Sequence, residues 1–315
     1  MQLAQFDVKI AFLNGNLTKD VYMTQPKGYE DGSGRVCKLQ KALYGLKQSA
    51  RCWNQKFVQC LRDFNLKTSE ADPCVFTSDD DGERLILAIY IDNGLVASTY
   101  ERKIDEILEH LAAKIEITVT PLSLFLGMEI KRFPDGSLFA SQTRYAERVI
   151  ERFRMEDAHT VAIPADQHQD LSLRDPKNDE KAINAPYKEA VGSLLYLAMV
   201  TRPDIAYAVK AVNQYAKSPN KQHWNAVKRI IKYIKGTIDY GIKFKRTESN
   251  LSLVAFSDAD FAGDKQTRKS TSGLVIKLGD APIVWSSQKQ RSVALSTTES
   301  EYIAATQTTK ELISQ

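Results

Sequence analysis

The sequence predicts an α+β chain, and three observations carry that reading. Short apolar runs bounded by turn residues fill much of the first third of the chain and return after Leu251, as strands do. Between them, apolar residues recur at three- and four-residue spacing, as on helices that pack one face on a core. The 315 residues, 43% of them hydrophobic, are enough for a sizeable core and a prior of about two domains.

Composition excludes several classes. Lys plus Arg number 43 against 39 Asp plus Glu, a net charge of +4, so overall charge assigns no partner and its distribution must. No uninterrupted apolar run exceeds seven residues, of which Leu85 to Ile91 is one, far short of the ~20 that a membrane helix needs. The N-terminus MQLAQFDVK lacks the basic and apolar regions of a signal peptide, which fits a soluble intracellular protein. Cys37, Cys52, Cys60 and Cys74 form no C-x-x-C pair, and His110, His159, His168 and His223 are scattered, so structural cysteines are expected rather than a zinc site.

Met1 to Gly15 reads as a strand ending at the turn signal Asn14-Gly15. Nothing before it supplies a sheet partner, which predicts a fragment with an exposed hydrophobic edge and reduced solubility. Leu46 to Phe64 carries Trp53, Phe57, Leu61 and Phe64 on one helical face. Two strands follow around Asp79-Asp80-Asp81-Gly82, and the second, LILAIYI, has the unbroken apolar character of a strand buried on both faces. It runs into Asp92-Asn93-Gly94, an Asn-Gly hairpin signal that puts Asp92 at a hairpin tip. A helix over Ile104 to Leu111, strands over Phe125 to Phe133 and Ser137 to Ser141, and a helix from Arg144 to Arg154 come next.

Residues 164–186 are charged and aperiodic, and read as a linker or surface loop. Helices are predicted at Lys188 to Met199, Pro203 to Ala216 and Lys221 to Lys235. From Lys221 to Arg246 there are eight Lys or Arg and one acid, interleaved with Trp224, Tyr233, Tyr240 and Phe244. Basic residues among aromatics suit a nucleic-acid backbone and its bases, or equally a solvated helix face over an ordinary core. After Leu251 three strands lead to a last helix whose start, Ser296-Thr-Thr-Glu299, is a capping-box pattern.

Carboxylates stand in two places where chemistry would use them. Asp7 lies in an apolar strand, where burial is unfavourable without a partner or a metal, and Asp92 lies at the hairpin tip. Side by side, the two would hold Mg²⁺ against a phosphate; apart, they are a strand-edge and a turn aspartate. Asp258 forms a second pair with Glu301, which is free of the capping role that explains Glu299, while Asp260 and Asp264 read as loop residues.

The motifs FDVKIAFLNG, VYMTQPKGYE, VCKLQKALYGLKQSARCW, ADPCVF, YIDN, FLGMEI, VGSLLYLAMVTRPDIAYAV, HWNAVKRIIKYIKGT, FSDADFAGD, RKSTSG and VALSTTESEYIA occur in the order of copia-type retrotransposon Pol polyproteins, which the chain resembles over nearly its whole length. The resemblance implies a truncated polymerase palm with thumb and connection helices, followed by a partial ribonuclease H-like α/β domain. Residues 1–163 would be the palm and start of the thumb, and 164–186 a linker. Residues 187–248 would form helices with a basic surface, and 249–315 the ribonuclease H-like part.

The implied activity is RNA-directed DNA polymerase, with Mg²⁺ or Mn²⁺, dNTPs, an RNA template, a DNA primer and the RNA–DNA hybrid as partners. The remainder of the Pol polyprotein is a further partner, no membrane is involved, and the setting is a cytoplasmic virus-like particle. Asp7 and Asp92 match palm aspartates, and Asn93 stands where the family has a second hairpin aspartate. Phe12 matches the bulky residue beneath the incoming sugar; Tyr44, Gly45, Lys47 and Tyr90 match nucleotide- and template-side positions. Asp258 and Glu301 match two of four ribonuclease H acids, and Lys228, Arg229, Lys232 and Lys235 would follow the nucleic-acid backbone.

Three departures limit the implied activity. Asn93 removes a full charge beside a dication, the fingers that precede the Asp7 strand are missing, and two ribonuclease H acids do not appear. The expectation is a weak or inactive polymerase, with a non-catalytic hybrid-binding remnant as the alternative; a stand-alone nuclease is disfavoured.

Overall fold

The computed structural model describes residues 1–80, 82–166, 171–172, 183, 185–246 and 252–314. Over these the chain divides at Leu126/Gly127 into two units. The first unit holds β1 (Gln2–Val8), β2 (Tyr22–Met23), β3 (Cys37–Lys38), α1 (Ser49–Leu61), β4 (Lys67–Thr68), β5 (Val75–Asp80) and β6 (Glu83–Tyr90). It continues with β7 (Asn93–Ser98), α2 (Glu101–Lys114), β8 (Ile117–Thr120) and the short β9 (Leu124–Phe125).

Six strands form one sheet in the order β4-β5-β6-β7-β1-β8. β1 is therefore interior, paired antiparallel with β7 on one side and β8 on the other. The expected unpartnered first strand is overturned, because both of its partners come from later in the chain. β1 also stops at Val8. Ile10 takes a left-handed conformation (φ 51°) and leads into a 3-10 turn over Ala11–Asn14 that carries Phe12.

One sheet face buries Phe6 and Val8 of β1, Leu85, Leu87 and Ile89 of β6, and Val96 of β7. Against it pack Trp53, Phe57, Cys60 and Leu61 of α1 and Ile104, Ile107, Leu108 and Leu111 of α2. β6 alternates between buried and half-buried residues, so the expectation of burial on both faces fails; the composition is apolar, but the strand has an inside and an outside. All four cysteines are free, and burial pushes the Cys60 thiol up.

The second unit opens with β10 (Met128–Arg132), β11 (Leu138–Ser141) and α3 (Thr143–Arg152). Then come α4 (Tyr187–Val200), a 3-10 turn over Pro203–Ile205, α5 (Ala206–Asn213), α6 (Lys221–Gly236) and β12 (Gly241–Phe244). β11 pairs with β10 and with β12, and α3 shares one apolar core with α4, α5 and α6. Residues 127–163 pack with the later helices, where their strands and helix are completed. Of the expected linker, Leu171 and Ile183 pack against the helical core, while 167–170, 173–182 and 184 lie outside the described residues.

Arg202 is the buried charge of this unit, its side chain 3% exposed. Its guanidinium donates to Asp204 and to Thr237 O and Oγ1, and lies over the Tyr233 and Tyr240 rings. All three guanidinium nitrogens have a protein partner, which gives the residue a structural role. α6 begins with a capping box that the sequence reading missed, because its reciprocal acceptor is a histidine. Asn220 Oδ1 accepts from His223 N, and His223 Nδ1 accepts from Asn220 N.

β13 (Leu253–Asp260), β14 (Thr271–Leu278) and β15 (Ala281–Lys289) form an antiparallel sheet, followed by α7 (Thr297–Ile313). Ser296 Oγ accepts from Glu299 N at 3.1 Å, as the capping pattern expects. The reciprocal bond falls one residue earlier than expected, from Leu295 N to Glu299 Oε2 at 2.6 Å.

Candidate functional site

Strand register builds the first site. Asp7 lies opposite Asn93 in the β1–β7 pair, and Val8 N donates to Asp92 O at 2.8 Å, so Asp7 and Asp92 come together as expected. Burial, and then the Asp92 charge, push the Asp7 carboxyl above its ordinary range. The Tyr44 phenol is pushed up in the same way, by burial first and then by Asp92 and Asp7. Tyr44 therefore belongs to the same neighbourhood. Its exposed ring lies 4.5 Å from that of Phe12, which is 8% exposed. Gly45 beside it has φ 93°, a left-handed conformation that glycine adopts freely, and Lys47 and Tyr90 are exposed.

The hairpin differs from the sequence reading in one respect. Tyr90 pairs with Asn93, so the two-residue turn is Ile91-Asp92, with Ile91 at φ 58°. Asp92 is at the tip, but the Asn-Gly step is not the turn: both residues lie inside β7. Gly94 is required there for space, because a Cβ would lie 2.1 Å from Phe6 Cζ. The Ile91 carbonyl accepts a 2.7 Å bond from Trp53 Nε1, a contact the sequence reading missed when it gave Trp53 a core role alone. Asn93 Nδ2 donates to Asp92 Oδ1 at 2.8 Å.

The second site is looser. Glu301 on α7 turns back to β13 and accepts from Ala259 N at 3.3 Å, next to the exposed Asp258. Asp260 is the last residue of β13 rather than a loop residue. Burial pushes its carboxyl up against the opposing effect of the Thr271 N–H that it accepts. Asp264 does sit in a turn, accepting from Gln266 N and Thr267 N and pairing with Lys289.

The four α6 residues expected to follow a nucleic-acid backbone divide. Lys235 Nζ donates to the carbonyls of Glu156 and Ala158, and Arg229 lies 3.9 Å from Asp166 with its Nε buried and unpartnered. Lys228 and Lys232 are half-buried, and neither is in an ion pair among the described residues.

Among the described residues, no group of three or more His, Cys, Asp or Glu gathers as a metal-binding cluster. The donor set at Asp7 and Asp92 nevertheless fits a hard divalent cation. Both donors are carboxylates, and burial first and then the Asp92 charge raise Asp7, a penalty that a bound cation would offset.

Comparison with known proteins gives the same direction. Residues 1–167 match the family "Reverse transcriptase (RNA-dependent DNA polymerase)". The chain is 40% identical, over 99% of its length, to 24% of the retrovirus-related Pol polyprotein from transposon TNT 1-94 of Nicotiana tabacum. It is 39% identical, over 98% of its length, to 21% each of the Pol polyproteins from transposons RE2 and RE1 of Arabidopsis thaliana. It thus spans about a quarter or less of the length of these relatives. With a family match over half of its residues and this identity along the rest, the chain belongs to the reverse transcriptase family, as carried by copia-type Pol polyproteins.

Proposed function

We propose that this chain is the palm-bearing part of an RNA-directed DNA polymerase, with weak nucleotidyl transfer centred on Asp7 and Asp92. The single observation that carries the reading is the β1–β7 register, which sets Asp7 beside the turn that bears Asp92. Asp7 and Asp92 would hold Mg²⁺ or Mn²⁺, with the Asn93 carboxamide as a weaker third donor. When bound, the cation supplies charge stabilisation for the triphosphate and acidifies the attacking hydroxyl.

The reaction is in-line attack of a primer 3′-hydroxyl on the α-phosphate of a dNTP, which breaks the bond to the β-phosphate and releases pyrophosphate. Phe12, held under Tyr44, forms the floor beneath the sugar and excludes a 2′-hydroxyl. Tyr90, Gly45 and Lys47 stand at the positions that face nucleotide and template.

Primer extension on poly(rA)/oligo(dT) with Mg²⁺ tests this. Incorporation that Asp92→Ala abolishes supports the enzyme, and incorporation that survives Asp92→Ala overturns it.

A specific observation favours a second reading, a non-catalytic binder of RNA–DNA hybrids. The Asn93 amide donates to the Asp92 carboxylate, engaging a lone pair that a cation would use. On this reading Lys228→Ala and Lys232→Ala each flatten the salt dependence of hybrid binding by about one counterion. Lys235→Ala changes the slope less, since its ammonium already holds two carbonyls. Slopes of all three variants equal to that of the unaltered chain would remove α6 from the binding surface.

A further inference from the structure

We infer that Trp53 is a positioning residue for Asp92, acting through Ile91; the inference rests on the polymerase reading of the hairpin site. Ile91 is β-branched and sits at φ 58°, a conformation such residues adopt only where their surroundings impose it. Trp53 supplies that imposition. Its side chain is buried on α1, its ring lies 5.5 Å from that of Phe57, and its indole N–H is directed at the Ile91 carbonyl. A core tryptophan needs some acceptor for its N–H, and here the acceptor is the peptide that joins Ile91 to Asp92.

The next peptide is held from the other side, by Val8 N on the Asp92 carbonyl. Both peptide planes around the Asp92 Cα are therefore fixed, one by the helix and one by β1, and the carboxylate direction follows. The same stretch of α1 braces the Phe12 turn. Gly15, whose N–H donates to Phe12 O at 2.9 Å, packs so closely that a Cβ would lie 3.0 Å from Cys52 C and Trp53 N. The floor beneath the sugar and the metal-binding tip thus share one support.

Trp53→Phe keeps an aromatic ring in the core and removes the donor. The experiment combines hydrogen exchange at the Val8 amide with Mn²⁺ binding, the latter measured in an Asp258→Ala background so that the hairpin site alone is read. Trp53→Phe is expected to speed Val8 exchange at least 10-fold, leave the Thr77 amide of β5 unchanged, and weaken Mn²⁺ binding at least 5-fold. Adding Ile91→Gly, which takes a left-handed conformation without support, is expected to restore most of the Mn²⁺ affinity.

Unchanged Val8 exchange in Trp53→Phe overturns the inference, as does a loss of Mn²⁺ affinity that Ile91→Gly leaves untouched. If the unaltered hairpin binds no Mn²⁺, the polymerase reading fails, and Val8 exchange still decides whether Trp53 holds the tip.

Discussion

The two acidic sites differ in how the backbone delivers their carboxylates. Asp7 sits on β1 and Asp92 in the turn that leads into its neighbour β7, with buried residues beneath and one ladder-like bond, Val8 N to Asp92 O, beside them. Asp258 and Glu301 come from a strand and a helix, and the contact that joins their elements ends on Ala259 N. Register places the first pair, and it stays placed as long as the sheet does. The second pair depends on where α7 starts, which a serine cap and a glutamate side chain decide. The first arrangement raises charge repulsion as it gains precision, so its chemistry is sensitive to a single change of charge.

That sensitivity gives the largest expected effect. Introducing a carboxylate with Asn93→Asp removes the amide donor from Asp92 and would add a full charge next to the cation of the proposed polymerase site. A unit-charge pair at 4 Å is worth about 4 kcal/mol at an effective dielectric of 20, and ~1.4 kcal/mol is a factor of ten in rate. Allowing for what water and the amide dipole already recover, incorporation in primer extension is expected to rise at least ~100-fold. Asp258→Asn in the same assay is expected to leave incorporation unchanged. A rise of less than threefold in Asn93→Asp would assign the deficit to the rest of the polymerase instead of to residue 93.

The two sheets also differ in how tightly they are packed, and a pair of glycines measures it. Gly94 in β7 leaves room for the Phe6 ring, and a methyl there would lie 2.1 Å from Cζ, so Gly94→Ala must move a fully buried aromatic. Overpacking of this kind costs about 2–3 kcal/mol in urea unfolding. Gly273 in β14 meets nothing nearer than Asp258 O at 3.9 Å, so Gly273→Ala is expected to be neutral or to stabilise by up to about 1 kcal/mol. Equal losses at both positions would mean that the second sheet is as closely packed as the first.

Much of this contrast was legible from the residues. Periodicity located α1 through Trp53, Phe57 and Leu61, and α2, α4 and α6 within a few residues of their observed bounds. The residues alone left Asp7 and Asp92 side by side or apart, and the family resemblance implied that they meet. What the sequence hid was long-range. Antiparallel pairing of β1 with β7 and β8 leaves no local signal, so β1 looked unpartnered. Asn93-Gly94 carried a strong local turn signal, yet the Phe6 ring claims the space at Gly94 and moves the turn to Ile91-Asp92. Lys235 looked like a phosphate ligand because sequence shows its charge and not the two carbonyls it already serves.

The smallest effect separates the sites by pH. Burial and Asp92 raise Asp7 above its ordinary value, so the folded chain keeps that proton to a higher pH than the unfolded chain does. Between the unfolded value of about 3.9 and the raised folded value, the native state binds more protons. Stability therefore falls as pH rises through that window and stays lower above it. Asp7→Asn removes the titration, so in EDTA it is expected to raise the melting temperature relative to the unaltered chain at pH 7 and to have no such effect at pH 3.

Asp260 is raised too, but there the Thr271 N–H favours the charged form, so Asp260→Asn is expected to gain less at pH 7. Adding Mg²⁺ should then stabilise the unaltered chain and not Asp7→Asn, because the cation offsets the same repulsion that the amide removes. A gain in Asp7→Asn that is equal at pH 3 and pH 7 would trace it to packing, and would remove electrostatic repulsion as the feature that distinguishes the hairpin site.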